Sequence, residues 1–416
     1  LSVVYDDAES AADWLTVTPA SGTAGEQTVE LSATRNYRTS DRTAYADLTC
    51  GEQSVRLTVT QAAASGDTDF TAQFDPDFAK ELQKQGIISD AENITPEDME
   101  KIATITALNV SGSYDDPGTL TSLQGIEYFE SLTYLECIYS SLTSLEVSAN
   151  TKLTELWCYS NQLTELDVRA NTALTHLSCD SNQLESLDVS ANTALTLLRC
   201  YSNRLTELDL SRNTALTELY CHENQLMSLD VRANTALTEL WCYNNQLASL
   251  DVSQNTALTD LNCNVNQLAS LDVSRNTALT ELRCYGNKLT SLDMRANTAL
   301  THLDCGYNQL TELDVSANTA LTYLYCNENQ LTELDVSRNT ALTYLSCHSN
   351  RLKSLDISRN TALTTLLCVY NPGDGESTFP VKAWFDNDTK PDNLEIYQGQ
   401  WTYDGKGITI DFRKAE

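Results

Sequence analysis

Positive charge is scarce in this 416-residue chain: 26 lysines and arginines stand against 58 aspartates and glutamates, giving a net charge of −32 and a pI near 4.3. That surplus repels phosphate backbones and anionic lipid surfaces, so nucleic acid is excluded as a partner. No apolar run approaches the roughly 20 residues of a membrane helix, which argues against direct membrane insertion. The opening LSVVYDDAES has neither the basic start nor the apolar core of a signal peptide, so an exported protein would already have lost that segment. Catalytic signatures are missing as well. There is no nucleophile elbow, no phosphate loop, no HExxH and no CxxC pair. A non-catalytic, monomeric protein with no cofactor and no metal is expected.

The length exceeds one ordinary globular core, leaving two domains or a solenoid as the options. Cysteine spacing decides between them. Cys50 stands alone, whereas Cys137, Cys158, Cys179, Cys200, Cys221, Cys242, Cys263, Cys284, Cys305, Cys326, Cys347 and Cys368 recur every 21 residues. A fixed period of that length means a solenoid, and the unit L-T-x-L-x-C-x-x-N-x-L-T-x-L-D-V-S-x-N-T-A is a leucine-rich repeat. Leu156 and Cys158 follow the period of two of a strand, with Glu155, Trp157 and Tyr159 pointing the other way. Each coil should add one short parallel strand. Its return path has too few residues for an α-helix and should be extended or a single 3₁₀ turn.

The repeated polar positions read as structural. Identical thiols on in-register strands are parallel and about 4.8 Å apart, unlike the converging geometry of a disulfide. They therefore read as small core hydrophobes. Asn161 and its equivalents sit where the chain leaves the strand, and a second column through Asn150, Asn171 and Asn192 sits in the S-x-N-T-A turn. Both columns can satisfy backbone groups that lose ladder partners. The ten carboxylates from Asp167 to Asp356 would repel one another unless hydrogen-bonded in turns. Calcium is the alternative, without the glycine-rich acidic loop that usually accompanies it.

The repeat unit resembles the internalin class of bacterial leucine-rich repeats, in particular its internalin J-like, cysteine-ladder branch. This resemblance implies an extracellular or surface-attached protein whose concave sheet binds a host or neighbouring-cell protein. Residues 1–63 alternate apolar and polar positions between Gly and Pro turns. Trp14, Pro19, Gly22, Asn36, Arg42, Thr43, Val59, Thr60 and Gln61 resemble a BACON domain, a small β-sandwich of gut Bacteroidetes surface proteins. That family has more strands before its tryptophan, so a start inside the domain is expected.

The fold class is accordingly mainly β, in four parts. A BACON-like sandwich spans 1–63, and a linker and helical cap span 64–104. A right-handed solenoid of 21-residue repeats, with a parallel sheet on its concave face, spans 105–371, followed by a C-terminal cap over 372–416. In the cap, Pro76 opens a helix that Gly86 closes, and Thr95, Pro96 and Asp98 make an N-terminal capping box.

Repeats provide an internal control: positions needed by the coil recur, and positions free of that duty differ. The differences gather on the outward strand sites flanking each cysteine. Aromatic, Arg and His side chains collect there, and all four histidines, His176, His222, His302 and His348, fall on the same face. Protein interfaces favour such residues. The candidate binding residues are Trp157, Tyr159, Tyr201, Tyr220, His222, Trp241, Tyr243, Arg283, Tyr285, Tyr323 and Tyr325. A protein partner leads. A glycan or mucin ligand is the alternative, as is a spacer role in which cross-strand aromatics only stabilise one another.

Overall fold

The computed structural model describes residues 2–5, 14–18, 29–33, 36–50, 53–396 and 401–415. Pro19 and Gly22 lie outside the described residues, as does the side chain of Cys50. The chain divides into two units, Leu1–Leu174 and Thr175–Glu416.

In the first unit, alternating sequence forms two antiparallel sheets. One joins Ser2–Tyr5, Arg42–Cys50 and Gln53–Gln61, and the other pairs Leu15–Thr18 with Glu30–Ala33. Trp14 and Leu15 pack on Ala44 and Val59. The Arg42 guanidinium lies 4.5 Å from the Trp14 ring centroid, and its Nε donates to Gln61 at 2.8 Å. Trp14 is 2% exposed, so this corner is a core and offers no ring to a ligand. Asn36 Nδ2 donates to the carbonyls of Ser40 and Ala62, both at 3.0 Å, tying the corner to the following segment.

Helix α1 (Pro76–Lys84) starts on Asp75, whose Oδ1 accepts from the amides of Asp77 and Phe78, and Gly86 follows it with φ +68°. Helix α2 (Pro96–Thr104) has the complete capping box of Thr95 and Asp98. The cap and the sandwich-like module meet directly. Tyr37 packs edge-on against Tyr128, which stacks on Phe74, and Glu130 pairs with both Tyr37 and Arg38. Strands Ala107–Asn109, Tyr134–Glu136 and Glu155–Trp157 then run parallel.

In the second unit, the strands leading into the cysteines, from His176–Ser178 to Thr365–Leu367, pair in parallel one coil to the next, each residue facing the one 21 positions on, while Leu355–Asp356 pairs instead with Thr378–Ala383. Glu395–Ile396 adds a further parallel strand, and Trp401 Nε1 donates to the Asn371 carbonyl at 3.0 Å. The mainly β, 21-residue-period architecture matches the sequence expectation. One coil buries a complete set of side chains, for example Leu219, Cys221, Leu226, Leu229, Val231 and Leu237. A fully buried Leu contributes about 1.5–3 kcal/mol, so the core of one coil outweighs any surface contact it makes.

The return path contains no α-helix. Two successive i→i−3 bonds, such as Asn234 to Val231 and Leu237 to Asn234, close tight turns. Asn245 exemplifies the first asparagine column. Its Nδ2 donates to the carbonyls of Cys221 and Cys242 at 3.1 Å, and its Oδ1 accepts from the Leu226 amide at 3.0 Å. The second column does less. Asn255 Nδ2 serves Val231 and Asn234, whereas the buried Oδ1 atoms of Asn213, Asn234 and Asn255 have no partner among the described residues. The residue before each first-column asparagine holds a left-handed conformation, with φ of +50° at Ser202, +51° at Asn244 and +49° at Val265.

Candidate binding face

Three outward columns of side chains are available on the strands: the first residue of each strand, the residue before the cysteine and the residue after it. In the second unit they bring together Tyr201, Tyr220, His222, Trp241 and Tyr243. Tyr201, His222 and Tyr243 form one stack, with centroids 4.3 and 4.1 Å apart and planes 10° and 15° from parallel. Neighbouring strands are about 4.8 Å apart, so stacking at this separation turns the ring normals across the strands. The rings stand up from the sheet, with both faces of His222 and one face of each tyrosine covered. Trp241 meets Tyr220 edge-to-face at 5.2 Å, and Arg199 lies over the other aromatic partner, its Cζ 5.2 Å from the Tyr220 ring.

His222 differs from the exposed position expected of it. It is 5% exposed, enclosed by the two tyrosines, and its Nδ1 has no partner among the described residues. Burial lowers its pKa to about 4, so the ring is neutral near pH 7. Arg283 also differs from an available binding cation. Its guanidinium is spent on Asp260, at 3.0 Å, and on Glu281.

The remaining candidates fall into separate groups. Tyr285 contacts Tyr307 at 5.7 Å. Tyr323 stacks on His302 at 4.5 Å, and Tyr325 on Tyr344 at 4.6 Å. In the first unit, Trp157 Nε1 donates to Glu155 at 3.2 Å, and Tyr159 meets Tyr139 edge-on at 5.4 Å. Tyr139 in turn contacts Tyr114, which is 82% exposed on the extra residues of the irregular coil.

Tyr114, Tyr139 and Tyr344 are absent from the sequence-derived set. Tyr344 occupies the first outward position, the same column as Tyr323 of the set one coil earlier, so the strand period does expose it. Tyr114 lies off the period and carries no such signal, whereas Tyr139 occupies the left-handed slot two residues after the cysteine, in phase with Ser160 and Tyr307.

The aspartate ladder sits away from this face and closes turns. Asp167 Oδ1 accepts from the Arg169 amide at 3.0 Å, and the same bond recurs at each step to Asp356 and Ser358. Hydrogen bonds from Arg169, Arg232 and Arg295 hold Asp167, Asp230 and Asp293 at a pKa of about 2. An open groove of about 840 Å³ runs beside Asp293, Asp314, Asp335 and Asp356. Among the described residues, no group of three or more His, Cys, Asp or Glu side chains could hold a metal ion. No helix there is long and apolar enough to cross a membrane.

Comparisons with known proteins agree with this architecture. A family model described as Viral BACON domain matches residues 1–64, and one described as Leucine Rich repeats (2 copies) matches residues 298–339. No curated protein sequence matches the chain significantly. Among solved structures, the functional domain of InlJ from Listeria monocytogenes, described as including a cysteine ladder, is 38% identical with a TM-score of 0.67. The match covers 76% of this chain and 75% of that one. An internalin, inlF, from the same organism is 23% identical with a TM-score of 0.60, covering 74% of this chain and 98% of its own. YopM, a leucine-rich effector protein from Yersinia pestis, is 21% identical with a TM-score of 0.55, covering 76% and 91%. The latter two similarities speak to the fold alone. With its column of buried thiols, its 21-residue coil and this identity to InlJ, the chain belongs to the internalin-type, cysteine-ladder leucine-rich-repeat family.

Proposed function

We propose that this is a secreted or cell-surface, non-catalytic binding protein that recognises a partner protein on the outward face of its parallel sheet. The observation that carries this reading is the upright stacking of Tyr201, His222 and Tyr243 beside Tyr220 and Trp241. A sugar ring packs on a free aromatic face, and in this stack both faces of His222 and one face of each tyrosine are covered by neighbouring rings. Ring edges, a tyrosine hydroxyl and an indole remain for a partner. These are the large, rigid, amphipathic groups that anchor protein interfaces at low entropic cost.

The family resemblance supports the extracellular placement. The internal comparison between coils supports the location, since inward positions repeat while outward ones vary. The BACON-like module then acts as a spacer or auxiliary binder fixed to the cap through Tyr37 and Glu130.

The test is a paired screen of the intact protein against extracellular proteins and a glycan array, repeated with the double variant Trp241→Ala, Tyr243→Ala. Protein hits weakened by at least about tenfold in the variant are expected, as for loss of two central anchors. Hits confined to glycans would replace this reading with a lectin-like one. Folded protein that binds nothing in either screen would leave the solenoid as a spacer.

A further inference from the structure

The first outward position carries a row of carboxylates that the chain itself does not balance. The register sets Glu218 opposite Glu239, Glu239 opposite Asp260, and Asp260 opposite Glu281 on four neighbouring strands. Like charges directly opposite in a sheet repel.

The protein's own groups answer them in part. Arg283 pairs with Asp260 and Glu281 at one end of the row. At the other end, the Tyr220 hydroxyl lies 2.5 Å from Glu239 and 3.1 Å from Glu218, and its single proton can serve only one of them at a time. One guanidinium, one hydroxyl proton and the Trp241 indole beside Asp260 thus face four carboxylates.

The wider face has the same deficit. Its outward positions from His176 to Gly306 hold six carboxylates, Asp180, Glu218, Glu239, Asp260, Glu281 and Asp304, against two guanidiniums, Arg199 and Arg283. The only histidine in the aromatic cluster, His222, is held neutral by burial. A metal ion does not resolve the deficit, because carboxylates in a line do not converge on a point, and no metal-holding group occurs among the described residues.

Resting on the reading of this face as a protein-binding surface, we infer that its partner presents a basic patch, with Lys or Arg side chains reaching the Glu218–Glu281 row while apolar groups meet Tyr220, Trp241 and Tyr243. A partner cation relieves repulsion already present in the sheet, and the surrounding negative field of a −32 chain draws basic surfaces toward it.

The probe is a panel of synthetic peptides of about 15 residues sharing Tyr and Ser positions, with Lys and Arg, Gln, or Glu at the remaining sites. Binding to the intact chain is measured at ~50 mM and ~300 mM salt, where screening differs strongly. The face variant is Glu218→Gln, Glu239→Gln, Glu281→Gln. The control removes the same charge from exposed sites on the return path: Glu165→Gln, Glu207→Gln, Glu312→Gln. Thermal midpoints confirm that every variant is folded.

Basic peptides should bind best, losing at least about tenfold in the face variant and less than about threefold in the control. Equal losses in the two variants would mean binding to net charge alone and would overturn the inference. Neutral peptides that bind, ignore the face variant and are lost with Trp241→Ala, Tyr243→Ala would overturn it while leaving the protein-binding reading intact. Binding indifferent to that aromatic double variant would remove the reading itself.

Discussion

Val265 holds φ at +49° in a slot that other coils fill with Ser, Asn, Glu, Tyr or Gly. A β-branched side chain in the left-handed region is strained, at a cost of about 1–2 kcal/mol. Val265→Asn, copying Asn244 one coil earlier, should therefore raise stability by about 1 kcal/mol in urea unfolding; an unchanged or lower midpoint would show that the coil relaxes around valine. His222 makes a second prediction at this scale. Its folded pKa is lowered to about 4 from 6.5, so between those values the unfolded chain holds more protons and stability rises with pH. Acidification from pH 6.5 to 4 should cost about 2–3 kcal/mol through this residue. The aspartates near 2 contribute in a lower, separate window, their stabilisation being lost as pH falls from their unfolded value of 3.8 through their folded value. Replacing His222 with Gln should flatten the upper window only, and NMR titration of the His222 ring gives its pKa directly.

Within one coil, the asparagine after the left-handed turn carries more of the backbone accounting than any other side chain. Asn245→Ala would leave the amide of Leu226 without its partner and take one of two amide donors from each of the carbonyls of Cys221 and Cys242, which keep Asn224 and Asn266. A loss of about 1–3 kcal/mol is expected in denaturant unfolding, given the cost of one buried unsatisfied amide; a loss below about 0.5 kcal/mol would mean that water replaces the side chain. This role was legible from the sequence, because a 21-residue period identifies the corner and the amide chemistry follows from what a departing strand leaves unpaired. So were the inward cysteines and the capping box at Thr95. The left-handed slot was not: Ser202, Glu223, Asn244 and Val265 share no propensity, and the hydrogen-bonded corner around them imposes the conformation. Nor could the burial of His222 be read from its own strand. It is set by Tyr201 and Tyr243, each 21 residues away, and by the way three rings choose to stand. The same holds for Arg283, whose acidic partners lie partly on the preceding coil.

At the scale of the molecule, the twelve column thiols are free and buried. Burial raises the thiols of Cys137, Cys221, Cys263 and Cys347 to about 12, so neither access nor ionisation favours their reaction near pH 8. A thiol-specific chromogenic reagent should leave these twelve unmodified in native protein and reach all thirteen cysteines in ~6 M guanidinium. Rapid native labelling of more than one thiol per chain would contradict the closed column. The uniform register has another consequence, one for the gene. Excising residues 224–244 removes one full period and joins Glu223 to Asn245, so a cysteine, a ladder asparagine and a turn aspartate still follow in phase. The fold should survive such an excision, yet His222 would then face Asn264 in place of Tyr243, with Trp241 gone. Recombination between near-identical coils could in this way exchange the recognition surface in a single step while leaving the scaffold that displays it unaltered.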